Sequence, residues 1–117
     1  MSNDLRDLVD VDRVIHEPAR LMIVALLYNV ESADFLFLKN ETGLTKGNLS
    51  SHLSKLEENG YVEIEKTYRG KVPLTVVHLT DKGREALDDY RRRMQQLVNN
   101  LGANQDSNNG LDQDGKK

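Results

Sequence analysis

The stretch from Thr42 to Gly83, TGLTKGNLSSHLSKLEENGYVEIEKTYRGKVPLTVVHLTDKG, constrains the fold more than any other part of the chain. It reads as a tight turn, an amphipathic helix that opens on small polar residues, and a hairpin with a basic tip. Thr45 is predicted to cap the helix, because its hydroxyl can accept from a backbone N–H of the first turn. Leu49, Leu53 and Leu56 recur at i, i+4 and i+7 and share one helix face. The other face carries Lys46, Gly47, Ser50, Ser51, Ser54 and Lys55, compact or basic throughout, with no acid before Glu57. Such a face can come close to a polyanion, and the N–H groups of its first turn suit phosphate. This is the chemistry expected of a helix that reads a DNA major groove.

The flanking residues extend the pattern. Phe35 to Thr42 is a short helical candidate, with Leu36, Phe37 and Leu38 available for burial. Gly43 stands where a tight helix-to-helix turn needs positive φ, and Leu44 can plug the angle between the helices. Gly60 reads as a C-terminal stop. Beyond it Val62, Ile64 and Lys66 alternate with Glu63, Glu65 and Thr67, and Leu74 to Leu79 forms a second β-like run. Tyr68-Arg69-Gly70-Lys71 supplies the turn and two cations. Helix, turn, helix and hairpin make a winged helix-turn-helix: an α+β fold, mainly α, with a two- or three-stranded wing.

On these residues the chain resembles the small winged-helix transcription regulators of the MarR and ArsR types. Gly43 to Leu53, followed by Leu56-Glu57-Glu58-Asn59-Gly60-Tyr61-Val62, is similar to their recognition helix and its exit. Leu79-Thr80-Asp81-Lys82-Gly83-Arg84 resembles their strand leading into a long closing helix. One departure is Lys39, which stands where many such motifs have a small residue. The resemblance implies a DNA-binding regulator and leaves its target genes open.

Outside the motif the chain looks built for assembly. Leu5, Leu8, Val11 and Ile15 predict an N-terminal helix over residues 1–17 that ends near His16-Glu17, because a residue before proline avoids the α region. Pro18 fits the first turn of the next helix, and Leu21 to Tyr28, apolar nearly all round, should be the buried centre. The DNA-binding domain then spans 18–80. From 81 to 101 a long helix carries Leu87, Tyr90, Met94, Leu97 and Leu101 at spacings of 3, 4, 3 and 4. That is a narrow seam for side-by-side helices. It could cover its own domain, but a helix this long would overhang so small a core, and a homodimer is the expectation. Residues 102–117, GANQDSNNGLDQDGKK, are polar and expected to be disordered.

Composition limits the alternatives. With 117 residues there is material for one core. The longest apolar run, Leu21 to Tyr28, is 8 residues, far short of the 18 or so of a membrane span. The N-terminal residues lack a basic, apolar secretion signal, so the cytoplasm is the expected location. The net charge of −3 argues against an indiscriminate basic coat for nucleic acid. Residues 1–12 hold four aspartates against one arginine, whereas 45–56 and 66–71 hold Lys46, Lys55, Lys66, Arg69 and Lys71 with no acid. These could be ordinary solvated faces; beside the motif they read as two contact surfaces.

The expected DNA-binding set is Thr45, Lys46, Gly47, Asn48, Ser50, Ser51, Lys55, Arg69 and Lys71. Asn48, Ser50 and Ser51 are candidates for base edges, with phosphate the alternative for Asn48; Thr45, Lys46 and Lys55 are candidates for phosphates. Arg69 should reach the neighbouring minor groove or its backbone. A dimer implies a palindromic operator. No cofactor, metal or catalytic group is expected. There is no cysteine, the histidines at 16, 52 and 78 are scattered, and His16-Glu17-Pro18-Ala19-Arg20 departs from the zinc motif HExxH at its fifth residue. His52 should pack or hydrogen-bond at the base of the helix, with a DNA contact as the alternative. Asp88-Asp89 beside Arg91-Arg92-Arg93 reads as a mixed solvated face. A small-molecule effector would need a cavity between dimer helices, which a sequence does not display. The rival reading is a winged helix used as a protein–protein adaptor, kept open by the acidic net charge and by the apolar Val72-Pro73-Leu74.

Overall fold

The structure, a computed structural model, describes residues 10–109, with side chains to residue 101. The chain falls into two units: Asp12–Asp88, and a second made of the chain on either side of it. The first unit holds helix α1 (Pro18–Tyr28), strand β1 (Ala33–Asp34), helices α2 (Phe35–Thr42) and α3 (Lys46–Glu58), strands β2 (Val62–Arg69) and β3 (Val72–Leu79), and the beginning of helix α4 (Asp81–Asn109).

Each helix start in the motif is set by a side chain that satisfies an orphan N–H. Glu17 accepts from Arg20 N at 2.7 Å ahead of α1, with Pro18 in the first turn. Asp34 accepts from Phe37 N at 2.7 Å ahead of α2. Thr45 accepts from Asn48 N at 3.1 Å ahead of α3, the cap expected from the sequence. Gly43, with φ of 72°, takes the left-handed turn between α2 and α3. The exit of α3 is a Schellman motif: Gly60 N donates to Glu57 O, and Tyr61 N to Leu56 O, both at 2.9 Å.

The core is aliphatic. Ile15, Ile23, Val24, Leu27, Leu38, Leu49, Leu56 and Val77 have no exposed surface, and Leu53 and Val62 have 2 %. The three leucines predicted for one face of α3 are therefore its buried face. Helix α1 buries Ala19, Ile23, Val24 and Leu27, while Met22 is 38 % exposed, so it is less enclosed than its composition predicts. In α2 only Leu38 is buried; Leu36 and Phe37 face solvent. Consecutive residues on a helix point in directions about 100° apart, so one core cannot take all three.

The sheet order is β1-β3-β2, antiparallel throughout. The β2–β3 ladder runs from Val62 opposite Leu79 to Arg69 opposite Val72, leaving Gly70-Lys71 as a two-residue turn. Pro73 sits in the central strand without cost, because β1 reaches β3 only at Val76 and Val77. The arginine of the turn motif thus belongs to the last strand pair, not to the loop.

Two segments differ from the sequence expectation. The predicted N-terminal helix lies largely outside the described residues, and residues 10–17 of it form turns. Asp12 is the physical reason: its Oδ1 accepts from Val14 N (2.9 Å) and Ile15 N (3.1 Å), which competes with a continuing helix. Helix α4 runs on to Asn109, into the stretch expected to be a disordered tail; residues 110–117 lie outside the described residues. At its other end Arg84 fastens α4 to the last turn of α1. Its Nη1 donates to Tyr28 O (3.0 Å), its guanidinium stands 4.6 Å from the Tyr28 ring centre, and the Tyr28 hydroxyl donates to Asp88 Oδ1 (2.7 Å).

Candidate nucleic-acid interface

Burying Leu49, Leu53 and Leu56 turns the rest of α3 outward. Thr45, Lys46, Gly47, Asn48, Ser50, Ser51, Ser54 and Lys55 are all exposed. The capped first turn offers its free N–H groups on this surface. Arg69, Gly70 and Lys71 at the end of the hairpin are exposed as well, and Tyr68 beside them is 69 % exposed.

A groove of about 870 Å³ is lined by α3, the hairpin and the start of α2. It brings Lys46 and Ser50 of α3 together with Arg69, all three expected from the sequence, and adds Ser54 and Lys66. Thr45 at the cap of α3, and Gly47, Asn48, Ser51 and Lys55 on α3, stand outside the groove, and Lys71 stands on the turn. The groove also carries Asp34 and Glu57, so it is less uniformly cationic than the sequence windows indicate. Asp34 spends one carboxylate oxygen on capping α2. Leu36, Val72, Pro73 and Leu74 form an apolar lining. The meeting of these three segments has no local signal, since residues 34–36, 46–57 and 64–75 come together only through the fold.

Around the base of the interface the polar groups are paired. Arg20 Nη1 lies 3.2 Å from His52 Nδ1, which places His52 in the hydrogen-bonding role anticipated for it. The Tyr61 hydroxyl donates to Asp12 Oδ2. Burial, then this bond and the Asp12 charge, push the Tyr61 hydroxyl up to about 12. In the second unit, Arg93 Nε donates to Asp89 Oδ2 (2.9 Å) and holds that carboxyl below its ordinary range, with Arg92 adding to it. Asp89, Arg92 and Arg93 thus form a mixed face, as read from the sequence, whereas Asp88 is taken up by the Tyr28 hydroxyl.

Among the described residues no group of three or more metal-ligating side chains could hold an ion. No helix of the described residues is long and apolar enough to cross a membrane.

Comparison with known proteins fits this arrangement. Residues 19–98 match the family model described as a winged helix DNA-binding domain. The chain is 41 % identical over 90 residues to an uncharacterised protein of Methanocaldococcus jannaschii, covering 76 % of this chain and 97 % of that one. It is 27 % identical over 90 residues to an uncharacterised HTH-type transcriptional regulator of Bacillus subtilis, spanning 74 % of this chain but 52 % of that protein. Among solved structures, the transcriptional regulator homologue from Pyrococcus horikoshii superimposes with a TM-score of 0.78 at 30 % identity, covering 85 % of this chain and 97 % of that one. A MarR-family structure from Porphyromonas gingivalis, at 17 % identity and a TM-score of 0.57, shares the fold. The capped, outward-facing helix, the basic hairpin and these matches together place the chain in the winged-helix DNA-binding domain family.

Proposed function

We propose that this chain is a sequence-specific transcriptional regulator that binds double-stranded DNA in the cytoplasm as a homodimer and represses by occluding a promoter. The observation that carries this reading is the acid-free exposed face of α3, from Lys46 to Lys55, meeting Arg69 across a groove. The names of the Pyrococcus and Bacillus proteins support regulation of transcription.

In this reading the first half of α3 enters the major groove. Asn48, Ser50 and Ser51 address base edges, and Gly47 leaves room for the backbone of the helix to come close. Thr45, Lys46 and Lys55 hold phosphates, while Arg69 and Lys71 take the neighbouring minor groove or its backbone. Exposed apolar residues at the far end of α4 support a partner helix: Leu101 of the stripe is 56 % exposed in the single chain, and Val98 beside it 60 %. Two copies about a twofold axis need a palindromic site with half-sites about 10 base pairs, or a multiple of that, apart.

A second reading, a winged helix that contacts protein and not DNA, is favoured by one observation: Leu36 and Val72 in the groove are 63 % and 64 % exposed. Selection of bound fragments from genomic DNA, repeated with Lys46→Glu and Arg69→Glu, separates the two. The regulator reading requires enriched fragments that share a motif and are lost in both variants while the fold persists. Failure to enrich any fragment favours the adaptor.

A further inference from the structure

His52 is an ionisable side chain of α3 whose partner belongs to α1, and the chemistry of that pair fixes its proton. The imidazole is half-buried, and its Nδ1 lies 3.2 Å from Arg20 Nη1. A guanidinium can only donate. His52 Nδ1 must therefore be the acceptor, and the neutral ring carries its proton on Nε2. Arg20 is itself held at two further points. Its Nε donates to Val14 O at 2.7 Å, and its backbone N–H donates to Glu17 Oε1 at 2.7 Å. Val14 lies in the turn that Asp12 organises, and the other oxygen of Asp12 takes the Tyr61 hydroxyl at the entrance to β2. The guanidinium thus ties α3, through His52, to a segment that is anchored beside the hairpin.

We propose that Arg20 is a positioning residue for α3, acting through the unprotonated Nδ1 of His52, so that a proton added there breaks the contact and weakens DNA binding. This rests on the reading of α3 as the DNA-contacting helix.

Protonation puts a second N–H on the ring, at Nδ1, aimed at a cation 3.2 Å away. The pair changes from an attraction to a repulsion in a half-buried setting, where screening by water is reduced. The carboxylate nearest the ring is that of Glu17, with Oε1 3.9 Å from Nδ1, and that oxygen already caps α1. A protonated Nδ1 is attracted by Glu17 and repelled by Arg20, and both act against the Arg20–His52 contact. On α3 itself the charged residue within one turn is Lys55, three positions on and of the same sign. Arg13 and His16, in the segment before α1, are exposed. A protonated ring acting only as an added cation would tighten binding to any DNA, so the sign of the effect separates the two outcomes.

The test uses a fragment selected by the protein itself, with affinities measured between about pH 7.5 and about pH 5, where imidazoles take up a proton. The wild type should weaken on the order of tenfold over this interval, the scale of one hydrogen bond from a charged donor. Arg20→Met should bind weakly already at the upper pH and lose little more. His52→Asn, which keeps an acceptor near Nδ1 and cannot titrate, should show no loss with acid. Nitrogen-15 shifts of the His52 ring should report the Nε2–H form at the upper pH, and loss of DNA affinity with acid should follow the loss of that form. A wild type that is flat or tightens with acid, an equal acid loss in His52→Asn, or a proton found on Nδ1 overturns the proposal. Selection of no fragment at all overturns the DNA reading instead, and the ring shifts then decide the Arg20–His52 pairing alone.

Discussion

Gly83 packs so closely on Tyr61 that a Cβ built on the glycine would lie 2.2 Å from the Tyr61 carbonyl oxygen and 2.8 Å from Leu79 Cδ1. The same carbonyl accepts from Thr80 N at 3.0 Å, and the Thr80 hydroxyl accepts from Gly83 N (3.0 Å) while donating to Gly60 O (2.6 Å). The first turn of α4 is thereby fastened to the exit of α3 and the entrance of β2. A methyl group here meets backbone, which cannot swing aside.

Gly83→Ala sets two effects against each other. Alanine favours a helix interior by up to about 1 kcal/mol over glycine. Overpacking against fixed backbone costs about 1–3 kcal/mol, and more where nothing can move. At 2.2 Å the clash should win. The expected net loss is about 2 kcal/mol, a fall in Tm of roughly 8–15 °C for a domain of this size. Gly47→Ala is the control, since nothing lies within 4 Å of its Cβ position, and its Tm should hold or rise. Equal melting of the two variants would remove the close approach as the reason for glycine at position 83.

Tyr61 makes a pH prediction with a definite sign. Its folded hydroxyl is raised from an ordinary 10.0 to about 12 by burial and by Asp12. Between those values the unfolded chain has lost the proton and the folded chain keeps it, so stability falls as pH rises. The contribution is fully present below about pH 10 and is lost by about pH 12. Tyr61→Phe lacks the hydroxyl and should be less stable than wild type near neutrality by about 1 kcal/mol, the worth of one hydrogen bond. Denaturant midpoints of the two proteins should therefore converge from about pH 10 to about pH 12. A constant gap over that interval would show that neither burial nor Asp12 holds the Tyr61 proton above its ordinary value.

The legible part of the fold was that written in local chemistry. Thr45, Gly43 and Gly60 mark the ends of α2 and α3, and Leu49, Leu53 and Leu56 name the buried face, because caps and helical spacing act within a turn or two. Strand β1 is two residues long and exists only through its pairing with Val76 and Val77. The turns at residues 10–17 follow from one carboxylate, Asp12, overriding an apolar periodicity. For the candidate site, exposure of Lys46, Ser50 and Arg69 was legible, as the polar side of an amphipathic pattern. Asp34 and Leu36 beside them, and Arg20 against His52, were not, since 32 positions separate the last pair and no spacing rule joins them.

The stripe on α4 predicts assembly. Of its residues, Leu87, Met94 and Leu97 are half-buried, Tyr90 is buried and Leu101 is exposed, as is Val98 beside them. Leaving large apolar side chains in water at the end of a long helix is unfavourable by about 1–2 kcal/mol each, which a partner helix would recover. Sedimentation at micromolar concentration should give twice the chain mass. Leu97→Glu with Leu101→Glu should shift the protein toward monomer while helix content persists. Intact chain sedimenting as a monomer removes the twofold operator as well.

The exposed face of α3 and the hairpin tip should differ in what they read. Phosphate contacts contribute affinity by releasing counterions and carry no sequence information, whereas contacts to base edges discriminate. Lys46 and Arg69 are cations on opposite walls of one groove, while Asn48 and Ser51 stand on α3 outside it. Lys46→Ala and Arg69→Ala should weaken operator and random DNA by similar factors. Each should flatten the dependence of log affinity on log salt by about 0.9 for every phosphate no longer neutralised, doubled in a dimer. Asn48→Ala and Ser51→Ala should leave that slope unchanged and lower the preference for operator by about 1–3 kcal/mol for each base edge no longer read. Salt titrations of wild type and the four variants on both DNAs decide the assignment. If all four change specificity equally, the reading surface lies elsewhere on α3, and Ser50 becomes the residue to test, since it shares the groove with both cations.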